Sequence, residues 1–112
     1  MKFPKSLLLL IVLLPTTASA AQIYGSLKIG DRAVGQGVNI EITCNNPTPY
    51  TGVTDAYGSY SINARSTGRC MFKVFYEKKW TPPFPVYSEA DPVRYDFSLE
   101  LQSDGTYALR RR

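Results

Sequence analysis

The chain of 112 residues carries 13 basic and nine acidic side chains, a formal charge of +4, two cysteines and no histidine, which bounds it to one small domain. Without histidine the commonest general base, the Ser-His-Asp triad and most catalytic zinc sites are removed, so a non-enzyme with no cofactor and no metal is expected. So slight a positive excess gives little support to nucleic-acid binding, which relies on many Lys and Arg contacts to phosphate.

In chain order, Lys2 and Lys5 precede an unbroken apolar run from Leu7 to Leu14, followed by Pro15 and a polar approach to Ala18-Ser19-Ala20. This pattern is read as a secretory signal peptide over residues 1–20, cleaved near Ala20, because its apolar core is far shorter than the roughly 20 residues that span a bilayer as a helix. No cysteine stands at the cleavage point, so a lipid anchor is not expected. The mature chain, residues 21–112, retains all nine acids and loses two of the 13 bases, for a net charge of +2. It is expected as a single domain, periplasmic or secreted, without a membrane span.

Alternation dominates the mature chain. Ile23, Gly25, Leu27 and Ile29 share one parity against Tyr24, Ser26 and Lys28. Val38, Ile40, Ile42 and Cys44 oppose Asn39, Glu41 and Thr43, and Cys70, Phe72, Val74 and Tyr76 share a face. Val93, Tyr95, Phe97, Leu99 and Leu101 oppose Arg94, Asp96, Ser98 and Glu100. These are half-buried strands, and no window holds a helical period. Gly and Asp in "IGDRAVGQG" and "SDGT" mark reversals, and "TCNNPTPYTG" is a proline-broken connection. Pro49, Pro82, Pro83, Pro85 and Pro92 are placed outside the strands, where they cost no ladder bond. The expected fold is all-β, a small antiparallel Greek-key sandwich of about seven strands. The closing Arg110-Arg111-Arg112 is read as a solvated tail.

Cys44 and Cys70 form an even pair in an expected exported protein, which implies a disulfide. Closing a loop of about 26 residues is worth on the order of 3–4 kcal/mol in the chain-entropy account. Both cysteines fall on the inward parity of their strands, so the bridge is expected to join the two sheets across the core.

Thr54-Asp55-Ala56-Tyr57-Gly58-Ser59-Tyr60 joins two strands, with Asp55 placed to accept backbone amides and Gly58 to take a positive φ. This stretch resembles the hallmark of the carboxypeptidase regulatory-like domains, small transthyretin-like β-sandwiches. Gly25 in the first strand, Gly37-Val38-Asn39-Ile40-Glu41-Ile42 and Gly68-Arg69-Cys70-Met71-Phe72-Lys73-Val74 are similar to further family strands in the same order. The chain departs from the pattern at Val38, in a longer loop before Gly37 and at Cys70, where the family commonly has an aromatic. The resemblance implies a domain that performs no catalysis itself, an appendage in the family's larger proteins; here it is expected to stand alone, in exported form.

Other chemistries find little footing. Glu89 and Asp91 are placed in a loop, and Asp96 and Glu100 on an outward parity where solvation accounts for them. The Asp55 turn lacks the alternating acids of a calcium loop, Lys28 and Glu41 face outward and so do not fit an internal isopeptide bond, and Pro47 spoils Asn46-Pro47-Thr48 as a glycosylation site. What remains is "YEKKWTPPFPVY". Read first as a connection between strands, it is also the candidate binding loop, with Lys78 and Lys79 as a cationic edge and Trp80, Phe84 and Tyr87 as exposed, coplanar rings. The expected partner is a protein, with a cell-wall glycan as the alternative.

Overall fold

The computed structural model describes residues 21–112; the expected signal peptide lies outside the described residues. The elements are β1 (Gln22–Ile29), β2 (Arg32–Ala33), β3 (Asn39–Thr43), β4 (Tyr50–Val53), β5 (Ser59–Asn63), β6 (Gly68–Tyr76), β7 (Lys79–Trp80), β8 (Phe84–Ser88), β9 (Val93–Arg94), β10 (Phe97–Leu101) and β11 (Tyr107–Arg111). Eight of them exceed two residues, and the sequence's alternating runs account for four of these, β1, β3, β6 and β10. They form two stacked sheets, as expected for an all-β sandwich. In the first, β1 is central: β5 and β2 pair antiparallel along one edge, β9 and β10 lie parallel along the other, and β11 closes the far side. In the second, β4, β3 and β6 run in order, and β8 and β7 share the outer edge of β6. The chain changes sheets after β2, β4, β5 and β8.

The core lies where the inward parities meet. Ile23, Leu27, Phe97 and Leu99 of the first sheet face Ile40, Ile42, Phe72, Val74 and Val86 of the second, all essentially solvent-free. Each such side chain contributes about 1.5–3 kcal/mol by leaving water. Rings bind the layers further: Phe72 lies 4.8 Å from Phe97 and 5.3 Å from Tyr60 between ring centroids. Tyr60 is buried, and burial pushes its phenol far above the ordinary range, aided by the nearby Asp96 charge. It stays neutral and donates a 2.6 Å hydrogen bond to the Tyr95 carbonyl.

The disulfide is present, but not across the core. Cys44 and Cys70 have Cα atoms 4.2 Å apart, and they continue the β3–β6 register one step beyond Thr43 opposite Met71. The bridge therefore staples two neighbouring strands of one sheet, at a closely spaced pair of the ladder. Parity placed both sulfurs correctly on the inner side; it could not say that the strands were adjacent.

Three further expectations are corrected. Arg110 and Arg111 are not a tail but the end of β11, with Arg110 3.0 Å from Glu100, Arg111 stacked 4.3 Å over Tyr95, and Arg112 donating to Ser98. The segment from Val93 to Leu101 is broken at Tyr95-Asp96, and Leu101 ends up 64% exposed at the end of its sheet. "YEKKWTPPFPVY" is not a mere connection, since it supplies β7 and most of β8, with Pro85 inside a strand.

Candidate binding face

The outer surface of the second sheet is built by the odd-numbered residues of β6. Arg69, Met71, Lys73 and Phe75 alternate with the buried Cys70, Phe72 and Val74 and so point away from the core. After Tyr76 the chain reverses through Glu77 and Lys78, both at positive φ (53° and 66°), which is a two-residue hairpin turn of the primed kind. The reversal sets Trp80 opposite Phe75, with ring centroids 5.1 Å apart. Lys73 places its ammonium 4.7 Å from the Trp80 ring centroid and also lies 3.5 Å from Glu41. The next residue, Thr81, turns inward and is buried. Its hydroxyl accepts the Val74 amide at 3.0 Å while its own amide donates to the Val74 carbonyl, which pins the direction of Trp80.

Beyond the two prolines, β8 returns beside β6 with Pro85 opposite Met71 and Tyr87 opposite Arg69. The result is a strip running Trp80, Phe75, Met71, Pro85, Tyr87 on one face of the sheet, with Trp80 40% and Tyr87 53% exposed. Trp80 and Tyr87 face β6 residues six positions apart, hence about 20 Å along the strand. Val53, 57% exposed, adds an apolar spot on the far strand β4.

The five residues of the candidate loop are thus divided. Trp80 and Tyr87 share the outer face. Phe84 is turned to the other side, edge-on to Phe97 at 5.0 Å, so the coplanar exposed trio does not exist. Lys78 sits at the turn tip, and Lys79 opposite Tyr76, off the outer face. Sequence reasoning missed Met71, Lys73 and Phe75, although a signal was present: the outward parity of β6 carries two large apolar residues where a solvated face calls for polar ones.

The turn residues occupy their expected places. Asp55 accepts the amides of Tyr57 and Ser59, both at 2.9 Å, and Gly58 has φ 75° with the Leu27 carbonyl so close that a Cβ would lie 2.7 Å from it. Asp96 is not merely solvated. Its partial burial raises its pKa, but hydrogen bonds from Arg94 and from the amide and hydroxyl of Ser26 outweigh this and hold the carboxyl below its ordinary value. Glu100 is engaged by Arg110.

An open groove of about 500 Å³ crosses the outer face of the first sheet, lined by Tyr24, Ser59, Ser61 and Arg94 among others. Its one cation, Arg94, is already bound to Asp96 and lies over Tyr24. Among the described residues no three His, Cys, Asp or Glu side chains cluster as metal ligands, and no helix is long and apolar enough to cross a membrane. No family model matches the chain, and no curated protein matches it.

Proposed function

We propose that the protein is a non-enzymatic, exported β-sandwich module that binds a protein partner in the cell envelope through the outer face of the β4-β3-β6-β8 sheet. The observation that carries this reading is the strip from Trp80 to Tyr87, two exposed rings about 20 Å apart along one sheet face, with Phe75, Lys73, Met71 and Pro85 between them. Aromatic and Met side chains are enriched in protein interfaces, and Trp80 with its cation-covered ring has the character of an anchor. The spacing suits an elongated partner better than a single sugar ring, since Phe84 is withdrawn into the core. The Cys44–Cys70 disulfide supports an oxidising compartment and hence export. The Asp55–Gly58 turn supports kinship with the carboxypeptidase regulatory-like domains.

Affinity capture from envelope extracts with the wild-type protein and with Trp80→Ala and Tyr87→Ala variants tests the reading. A protein retained by the wild type and lost from both variants is the expected result. Capture unaffected by either substitution would move the site elsewhere, and saturable binding to peptidoglycan or a purified glycan in place of a protein would favour the glycan alternative.

A further inference from the structure

The four outer edges of the two sheets are not equally closed. On β8 the Tyr87 amide donates to the Tyr95 hydroxyl at 2.9 Å instead of to β6, so Tyr87 and, two residues away, Pro85 are the positions whose backbone faces outward. The first has its donor taken and the second has none, which shuts this edge to a further strand. On β5, Asp55 caps both the amide and the carbonyl of Ser59, which leaves only Ser61 and Asn63 facing outward. β4 is only four residues long.

β11 is different. The Arg112 amide donates to the Asp96 carbonyl and the Gln102 amide to the Thr106 carbonyl, which fixes the alternation of the β10–β11 ladder between them. Ala108 and Arg110 are bonded to β10, whereas the amides and carbonyls of Tyr107, Leu109 and Arg111 point to the open side. Among the described residues none of these three amides has a partner.

The two faces beside this edge differ in chemistry. Tyr107 and Leu109 lie on the inner, half-buried side with Leu99, while Arg110 lies on the outer side, with Arg112 reaching Ser98 and Lys28 in register with Ser98. Asp96, paired with Arg94, and Glu100, paired with Arg110, are the acids on this side, and Lys28 and Arg112 leave it an excess of positive charge. Beside Ser98 the arginines line an open depression of about 340 Å³.

We infer that the free edge of β11 takes up an extended acidic segment of a partner protein by strand addition, independently of the Trp80 face. Main-chain bonds to Tyr107, Leu109 and Arg111 supply the docking, and apolar residues alternating with acidic ones match Leu109 on one side and the arginines on the other. A second copy of this chain would bring its own positive excess to the same edge, so charge selects an acidic strand instead.

The test uses amide hydrogen exchange by NMR with a capped peptide of alternating valine and glutamate and its valine–lysine counterpart as probes. In the free protein the amides of Tyr107, Leu109 and Arg111 exchange fast, while those of Ala108, Arg110 and Arg112 are protected. Saturation with the glutamate peptide slows the first three by about tenfold or more, weakens with added salt, and has no equal with the lysine peptide. Leu109→Pro, which removes an outward donor without breaking a ladder bond to β10, abolishes the effect. Should that variant fold poorly, the double variant Arg110→Glu, Arg112→Glu serves, and its preference passes to the lysine peptide. Unchanged exchange at the three amides, or peptide shifts confined to the Trp80 face, would overturn the inference. So would protection that rises with protein concentration alone, which would make a second copy the occupant.

Discussion

A methyl group on Gly25 would lie 1.9 Å from the Tyr95 carbonyl oxygen, which also accepts the Tyr60 hydroxyl. Because the obstacle is backbone held from two sides, Gly25→Ala should cost about 2–4 kcal/mol of stability, measured by chemical denaturation. The opposite sign is expected at the β6–β7 turn. Glu77 and Lys78 both occupy the left-handed region, so Glu77→Asn with Lys78→Gly relieves strain and should add about 1 kcal/mol in the same assay. Asp96 sets an acid limit. Its folded pKa lies below the ordinary value of about 3.9, so its contribution is complete above that pH and is lost as pH falls through the lower, folded value. Asp104 acts in the same direction, held down by the hydroxyl and amide of Thr106. Acid titration of stability should show a smaller fall below pH 4 in Asp96→Asn than in wild type, from a lower starting stability.

At the scale of elements, the Cys44–Cys70 staple joins strands that the ladder already pairs, so the sheet can survive its loss while the unfolded chain gains freedom. Reduction should lower the melting temperature, by the equivalent of about 2–4 kcal/mol, and leave strand content at low temperature unchanged by circular dichroism. Strands with one buried parity were legible: β1, β3, β6 and β10 each alternate, and periodicity alone gave their inward residues, the exposed Leu101 at the end of β10 excepted. β11 was hidden because its arginines read as solvent-loving, although Arg111 lies over Tyr95 and Arg110 pairs with Glu100. β8 was hidden because Pro85 argued against a strand, and only the register shows that its nitrogen faces away from β6. Which strands are neighbours is set by long-range packing, so the cysteines' parity could be read and their adjacency could not. The candidate face was half legible: Trp80 and Tyr87 stood out as rings, but Phe84 followed the opposite parity into the core, and Phe75 and Met71 passed as ordinary strand residues.

For the molecule as a whole, the core and the proposed contact face are separable. Phe72 is completely buried between the sheets, and Phe72→Ala should cost about 3–5 kcal/mol, enough to unfold a domain of this size. Tyr87→Ala removes a ring already 53% exposed and should shift stability by about 0.5 kcal/mol or less in thermal melts, while weakening partner capture. The order of the strands has a kinetic corollary. β1 is the central strand of its sheet, yet its parallel neighbours are β9 and β10, so Leu27 is matched to Phe97, 70 residues further along the chain. That pairing closes one of the longest loops the chain permits, and such contacts form late. A chain emerging N-terminus first, whether from the ribosome or from a translocation pore, cannot complete its first sheet until β10 and β11 have cleared the exit.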